Sequence, residues 1–388
     1  MRILFISDAY IPVPCGVAVS VESLRVSLEK RGHKVFIIAP SYRNWKDSSP
    51  RVARLNAIFH PTEAYRPYIW PTSSVSRKKI QSLKIDIVHS HFHFNNFDLP
   101  YRIARAANTP LINTVYRIFP EHSRISPPPL SSKNASFEKS LKKMIAYQNN
   151  CDRIIALSKM SKKYLLKYNV TPEIDVVPIG IFSGDFASFP PETVKEKLKI
   201  PLKRKLVLFV GDVSDENNVR LLFRSFKKVW HAIEDVHLLV VGTGKLFHDM
   251  KHALAREQFA KFVTFTGYLP KKQLNKIFGA CDILAYPGRL DPQPLVIIES
   301  LASGTPVVAV EGMGSQDFIK DNVDGFVSKP TVEDFSDKMI ELLRRDNLRM
   351  QFSQKARMEA REFRSSILTS DLLHSYEKAI EKFKDKII

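Results

Sequence analysis

The stretch GRLDPQPLVIIESLASGTPVVAV, Gly288 to Val310, sets two acids, Asp291 and Glu299, at the rims of a run that is otherwise apolar. Pro294 to Ile298 leads into a helical pattern, and after Ser303-Gly304-Thr305-Pro306 the residues Val307 to Val310 read as a buried strand. Loop, helix and buried strand in so short a span is the punctuation of a parallel sheet covered by helices.

The same alternation runs outward in both directions. RILFISD, KVFIIAP, DIVHSHF, PLINTVY, DRIIALS and IDVVPIG read as strands in the first half. KLVLFVG, VHLLVVG, FVTFTGY, DILAYPG and TPVVAV repeat the scheme in the second. Between the first two, Val19, Leu24, Val26 and Leu28 keep helical spacing, and Gly32 stops the helix. Short continuous Val/Ile/Leu runs suit strands buried on both faces. The fold class is therefore α/β, with two doubly wound parallel-sheet, Rossmann-like domains facing a cleft. The aperiodic PIGIFSGDFASFPP, rich in Pro, Phe and Gly, marks a boundary near residue 190. The expected division is 1–190, 191–365, and a terminal helix over 366–388 that packs back on the first domain. Ligands of such sheets bind at the C-terminal strand ends, so the cleft is the default site.

Composition narrows the partners. A chain of 388 residues has ample apolar content for two cores. Cys15, Cys151 and Cys281 lie far apart without metal-ligand or CxxC spacing, which suits a reducing cytoplasm. The opening MRILFISDAYIPV is too short and wrongly flanked for a signal peptide, and no apolar run reaches membrane-spanning length. Of the net charge of +19, residues 1–190 carry +14, from 27 Lys/Arg against 13 Asp/Glu. Arg77, Lys78 and Lys79 form one cationic cluster, Lys142 and Lys143 another. Each alone is an ordinary solvated face. The asymmetry points to an anionic partner, and a membrane surface fits better than nucleic acid because no aromatic residues interleave with the clusters.

Taken with GDVSDENNVRLLFRSFKKV, VVGTGKLFHDM, FTGYLPKKQLNKIFGACDILAYPG and PIGIFSGDF, the opening stretch resembles the retaining glycosyltransferases of family 4, which have the GT-B fold. FISDAYIPVPCGVAVSVESL and the pieces IDIVHSHFHFN and NTPLINTVY look most like the diacylglycerol glycosyltransferase branch and its mannosyltransferase relatives. The match runs in order over nearly the whole chain.

The resemblance assigns roles residue by residue. The family's two acids, eight positions apart, correspond to Asp291, which would hold the transferred sugar, and Glu299, which would accept the donor's ribose hydroxyls. The spacing puts the first acid in the loop after a strand and the second at the start of the next helix. Backbone N–H groups near that start, at Leu295 and Val296, can face a donor. Alternatively, Glu299 only caps its helix. Gly16, Gly242 and Gly244 would let backbone approach the donor phosphates.

Four positions depart from the family. Asp212 and Asn217 stand where an Arg and, five residues on, a Lys would neutralise the diphosphate. Tyr116 stands for a cleft His, and Pro294 for a Gly. Arg220, Lys245, Arg289 and Arg117 are candidate replacement cations, or solvated bases. In HSHFH, His89, His91 and His93 share a strand face, and His91 reads as an acceptor-side residue; a metal on these imidazoles, or on Asp212, Asp215 and Glu216, is the minority reading. The site is thus catalytic at Asp291, Tyr116 and His91, without metal or cofactor.

The resulting function is retaining transfer of a hexose from a UDP- or GDP-sugar to a membrane lipid such as diacylglycerol, by a cytoplasmic protein peripheral to the membrane. The alternative is a catalytically degenerate GT-B scaffold serving as a binding or partner subunit. An epimerase or phosphorylase of the same fold is disfavoured by the N-terminal pieces.

Overall fold

The computed structural model describes residues 1–13, 15–60, 63–69, 76–91, 98–117, 135–182, 186 and 190–385. His93 lies outside them. The chain divides into two compact units, one of residues 1–120, 128–180 and 365–388, the other of 121–127 and 181–364.

The first unit contains β1 (Arg2–Ser7), β2 (Lys34–Pro40), β3 (Val52–Leu55), β4 (Ala57–His60), β5 (Glu63–Ile69), β6 (Ile87–His91), β7 (Leu111–Val115), β8 (Arg153–Ala156) and β9 (Ile174–Val176). Seven of these form one parallel sheet in the order β3-β2-β1-β6-β7-β8-β9, while β4 and β5 pair antiparallel. The sequence reading passed over β3, β4 and β5. VARL is half-exposed rather than buried, and EAYRPYI carries Arg66 and Pro67, so neither gives a continuous apolar run. Helix Ser365–Asp385 packs within this unit against helix Gly16–Lys30 and β7, and its Tyr376 is wholly buried.

In the second unit β10 (Lys205–Val210), β11 (Val236–Val241), β12 (Val263–Gly267), β13 (Ile283–Tyr286), β14 (Val307–Val310) and β15 (Gly325–Ser328) form a parallel sheet in the order β12-β11-β10-β13-β14-β15. Alternation along each strand feeds two cores. Val207, Phe209, Leu238, Val240, Ile283, Ala285, Val308 and Val310 pack with residues of helices Val219–Ala232 and Val332–Arg344. Leu206, Leu208, Leu239, Val241, Leu284, Tyr286, Val307 and Ala309 pack with helices Lys271–Ala280 and Leu295–Ser303. Where both faces are covered, successive positions of the central strands are apolar, which is why their runs read as continuous. Among the described residues no helix is long and apolar enough to cross a membrane.

Candidate functional site

In the six-stranded sheet the chain leaves β10 toward β11 on one side and β13 toward β14 on the other. Connections run to opposite sides from these neighbouring strands, and ligands of such sheets bind in the crevice outside the C-terminal ends at that switch point. The two loops are 211–218 and 287–294, and they are tied together: the Asn218 side-chain amide donates to the Pro287 carbonyl oxygen at 3.4 Å. Asp291 and Arg289 fall on the second of these loops, and Gly242, Gly244 and Lys245 on the turn after β11.

That turn runs close to the loop after β10. A Cβ on Gly242 would lie 2.1 Å from the Gly211 carbonyl oxygen, and its φ is +129°. On Gly244 a Cβ would lie 2.6 Å from the Val213 carbonyl oxygen. These two glycines are therefore required by backbone approaching backbone. Lys245 follows in the same turn and is exposed. Gly16 differs from both. It is the exposed first residue of helix Gly16–Lys30, with open space where a side chain would stand, so no close backbone approach requires a glycine there.

Loop 211–218 closes on itself. The Asn217 side-chain amide donates to the Asp212 carbonyl oxygen at 2.9 Å. Arg220 Nε donates to Asp215 Oδ1 at 2.9 Å, and both side chains are about half exposed. Asn218 takes the left-handed conformation that starts helix Val219–Ala232. Across the crevice, exposed Arg289 donates from Nε to the Glu311 carbonyl oxygen at 3.2 Å.

Asp291 is exposed in the loop after β13, and its Oδ1 accepts from the Gln293 backbone N–H at 2.9 Å. Pro294 precedes helix Leu295–Ser303 as its N-cap residue, without a side-chain cap. Leu295 and Val296 thus hold first-turn positions, where backbone N–H groups have no partner four residues back.

Glu299 is the fifth residue of that helix, not its first, so it neither starts nor caps it. It is 5% exposed, and its carboxylate accepts from the Lys271 ammonium. Lys271 opens helix Lys271–Ala280 directly after Pro270, and the two helices pack together. The sequence reading missed Lys271. The signal was the PKKQ run after a predicted strand, but nothing in it tells which lysine turns inward.

In the first unit the C-terminal ends of β6 and β7 bring His91 and Tyr116 together. His91 Nδ1 and the Tyr116 hydroxyl are 2.9 Å apart, and both residues are buried. Burial pushes the Tyr116 phenol far above its usual pKa. One turn of pleat back, His89 meets the Tyr376 hydroxyl through Nδ1 and the Thr114 hydroxyl through Nε2, each at 2.7 Å. With both nitrogens engaged and burial driving its pKa down to about 3, His89 is a neutral core residue. Among the described residues no three His, Cys, Asp or Glu are grouped to hold a metal ion. Arg77, Lys78 and Lys79 are exposed on helix Arg77–Ser82, and Lys142 and Lys143 on helix Ala135–Asn149.

Two family models match the chain, Glycosyltransferase Family 4 over residues 14–182 and Glycosyl transferases group 1 over residues 191–359. The chain is a family 4 glycosyltransferase. It is 27% identical over 322 residues to the alpha-monoglucosyldiacylglycerol synthase of Streptococcus pneumoniae, covering 80% of this chain and 71% of that one. It is 21% identical over 398 residues to the synthase of the same name from Acholeplasma laidlawii, covering 100% and 99%. Among solved structures, Anabaena HepE in complex with UDP-glucose superposes with a TM-score of 0.76 at 15% identity, over 97% of this chain and 100% of that one. The architecture is GT-B, and the family is one of retaining enzymes that use nucleotide-sugar donors.

Proposed function

We propose that this glycosyltransferase moves a hexose from a UDP- or GDP-sugar to a membrane lipid such as diacylglycerol. The observation that carries the donor half is the buried Glu299 carboxylate, paired with Lys271, with Asp291 in the loop before its helix. In this reading Glu299 accepts the ribose hydroxyls and Asp291 holds the hexose. Gly242, Gly244 and the first-turn N–H groups of Leu295 and Val296 line the phosphates, with Arg220, Lys245 and Arg289 as the available cations. Tyr116 and His91 serve the acceptor.

The chemistry asks for positioning more than for a nucleophile. The anomeric carbon–phosphate oxygen bond breaks as the acceptor hydroxyl oxygen bonds the same face of that carbon. The hydroxyl proton passes to the departing phosphate. The protein stabilises the charge that develops on the diphosphate.

The lipid acceptor is supported by the two alpha-monoglucosyldiacylglycerol synthases among the relatives. Residues 1–190 also hold +14 of the net charge, which favours an anionic membrane face at Arg77, Lys78, Lys79, Lys142 and Lys143. The second reading, a scaffold that no longer turns over, is favoured by Asp212 and Asn217 where the family has cations. Incubating the protein with UDP-glucose and anionic vesicles containing diacylglycerol tests between them. An α-linked glucosyl lipid supports transfer; unchanged lipid with every UDP- and GDP-hexose offered would contradict it.

A further inference from the structure

Glu299 and Lys271 pose a question that the family assignment leaves open. A carboxylate with 7% side-chain exposure has lost nearly all its water and needs a partner of opposite charge to remain there. That partner comes from a different element, the first residue of helix Lys271–Ala280, and its side chain is 43% exposed. Lys271 is therefore anchored at its head and wet along its stem. Its ammonium also stands 5.6 Å from the centre of the Phe186 ring, close enough for the ring face to attract it. Two contacts thus hold one flexible side chain at a fixed place.

A carboxylate offers about four lone-pair sites on two oxygens. Lys271 engages Oε1 from a second helix, which restrains the group at that oxygen. A vicinal diol needs a carboxylate in one orientation to bond both hydroxyls. On the reading that Glu299 binds the donor ribose, we propose that Lys271 is a positioning residue for donor recognition. It holds Glu299 for the ribose diol, and it lends the site its preference for ribonucleotides over deoxyribonucleotides. The role is indirect. Lys271 acts through Glu299, so the cost of replacing it falls on the buried carboxylate it leaves unpaired.

Calorimetric titration with UDP, GDP and their 2′-deoxy and 3′-deoxy forms tests this on wild type, Lys271→Met and Lys271→Arg. For whichever nucleotide binds, wild type should favour the ribose form by about tenfold or more, the worth of one charge-assisted hydrogen bond. Lys271→Met should bring that ratio toward one, and Lys271→Arg should restore it. A general loss of structure would weaken ribose and deoxyribose forms alike, so the ratio separates positioning from folding. A ratio unchanged in Lys271→Met overturns the role of Lys271 while leaving the ribose assignment standing. A wild type that binds ribose and deoxyribose forms equally overturns the ribose assignment, and the role of Lys271 with it.

Discussion

The Asn217 side chain reaches back across its own loop and donates to the Asp212 backbone carbonyl oxygen at 2.9 Å. The family resemblance places a diphosphate-binding Arg and Lys at these two positions. Here one residue is acidic and the other is spent on holding the loop. Arg220, the nearest base in sequence, is drawn to Asp215 in the same loop. An exposed pair of this kind is worth little, roughly 0–1 kcal/mol, so a diphosphate could compete for the guanidinium.

Of the two acids, Glu299 should matter more for binding. Glu299→Ala removes a buried charged acceptor and should weaken nucleotide affinity by about 1.5–3 kcal/mol. Asp291→Ala removes an exposed one and should weaken nucleotide affinity less, while lowering turnover. Titration of both variants with the nucleoside diphosphate checks this, and equal affinities for wild type and Glu299→Ala would remove Glu299 from the pocket.

The two kinds of glycine should behave differently. Gly242→Ala forces a Cβ to 2.1 Å from the Gly211 carbonyl oxygen at a φ of +129°. It should destabilise the second unit by about 2 kcal/mol or more. Gly16→Ala meets open space at a helix start and should change stability by less than about 1 kcal/mol. Urea unfolding of the two variants reads the contrast.

Acid should loosen the first unit through His89. Its folded pKa of about 3 lies below the roughly 6.5 of an exposed imidazole. Between those values the unfolded chain binds a proton that the folded chain refuses. Stability then falls with pH, by up to about 1.4 kcal/mol per unit. His237, held near 4 by burial and by Arg204, adds a fall of the same sign in the second unit. Asp324, pushed up to about 6 by burial, opposes both, since its folded carboxyl keeps a proton the unfolded one has lost. Comparing His89→Gln with wild type isolates His89. The variant should be less stable at pH 7.5, and the gap should narrow by pH 5; a constant gap would contradict the assignment.

Vesicle binding should follow charge. Changing Arg77, Lys78 and Lys79 to Glu should weaken binding to anionic vesicles, and salt should weaken wild-type binding, since each cation near the surface contributes about 1 kcal/mol. Co-sedimentation across a salt series measures both. Indifference to lipid charge would count against a membrane role for this helix.

The fold was legible because burial on both sheet faces leaves its mark along the central strands. Val207 and Leu208 point into opposite cores, yet both must be apolar. The strands that escaped, such as Val52–Leu55, sit where only part of the surface is covered. The acids were legible as types at a spacing, and Asp291 lies in the expected loop. The place of Glu299 within its helix was off by a turn, because the helix begins directly after Pro294, at Leu295, and not at the acid. Lys271 was beyond reach: an ion pair between residues 28 positions apart depends on how two helices pack, which no local pattern encodes.

The central claim is that this crevice binds a nucleotide sugar despite Asp212 and Asn217. Calorimetric titration of the wild-type protein and of the Asp212→Arg/Asn217→Lys double variant with a panel of UDP- and GDP-hexoses tests it directly. The account predicts saturable binding of at least one donor by wild type, with little gain in the double variant because Arg220, Lys245 or Arg289 already supplies the charge. A silent wild type, beside a double variant that binds, would contradict it and establish a scaffold whose donor site has been lost.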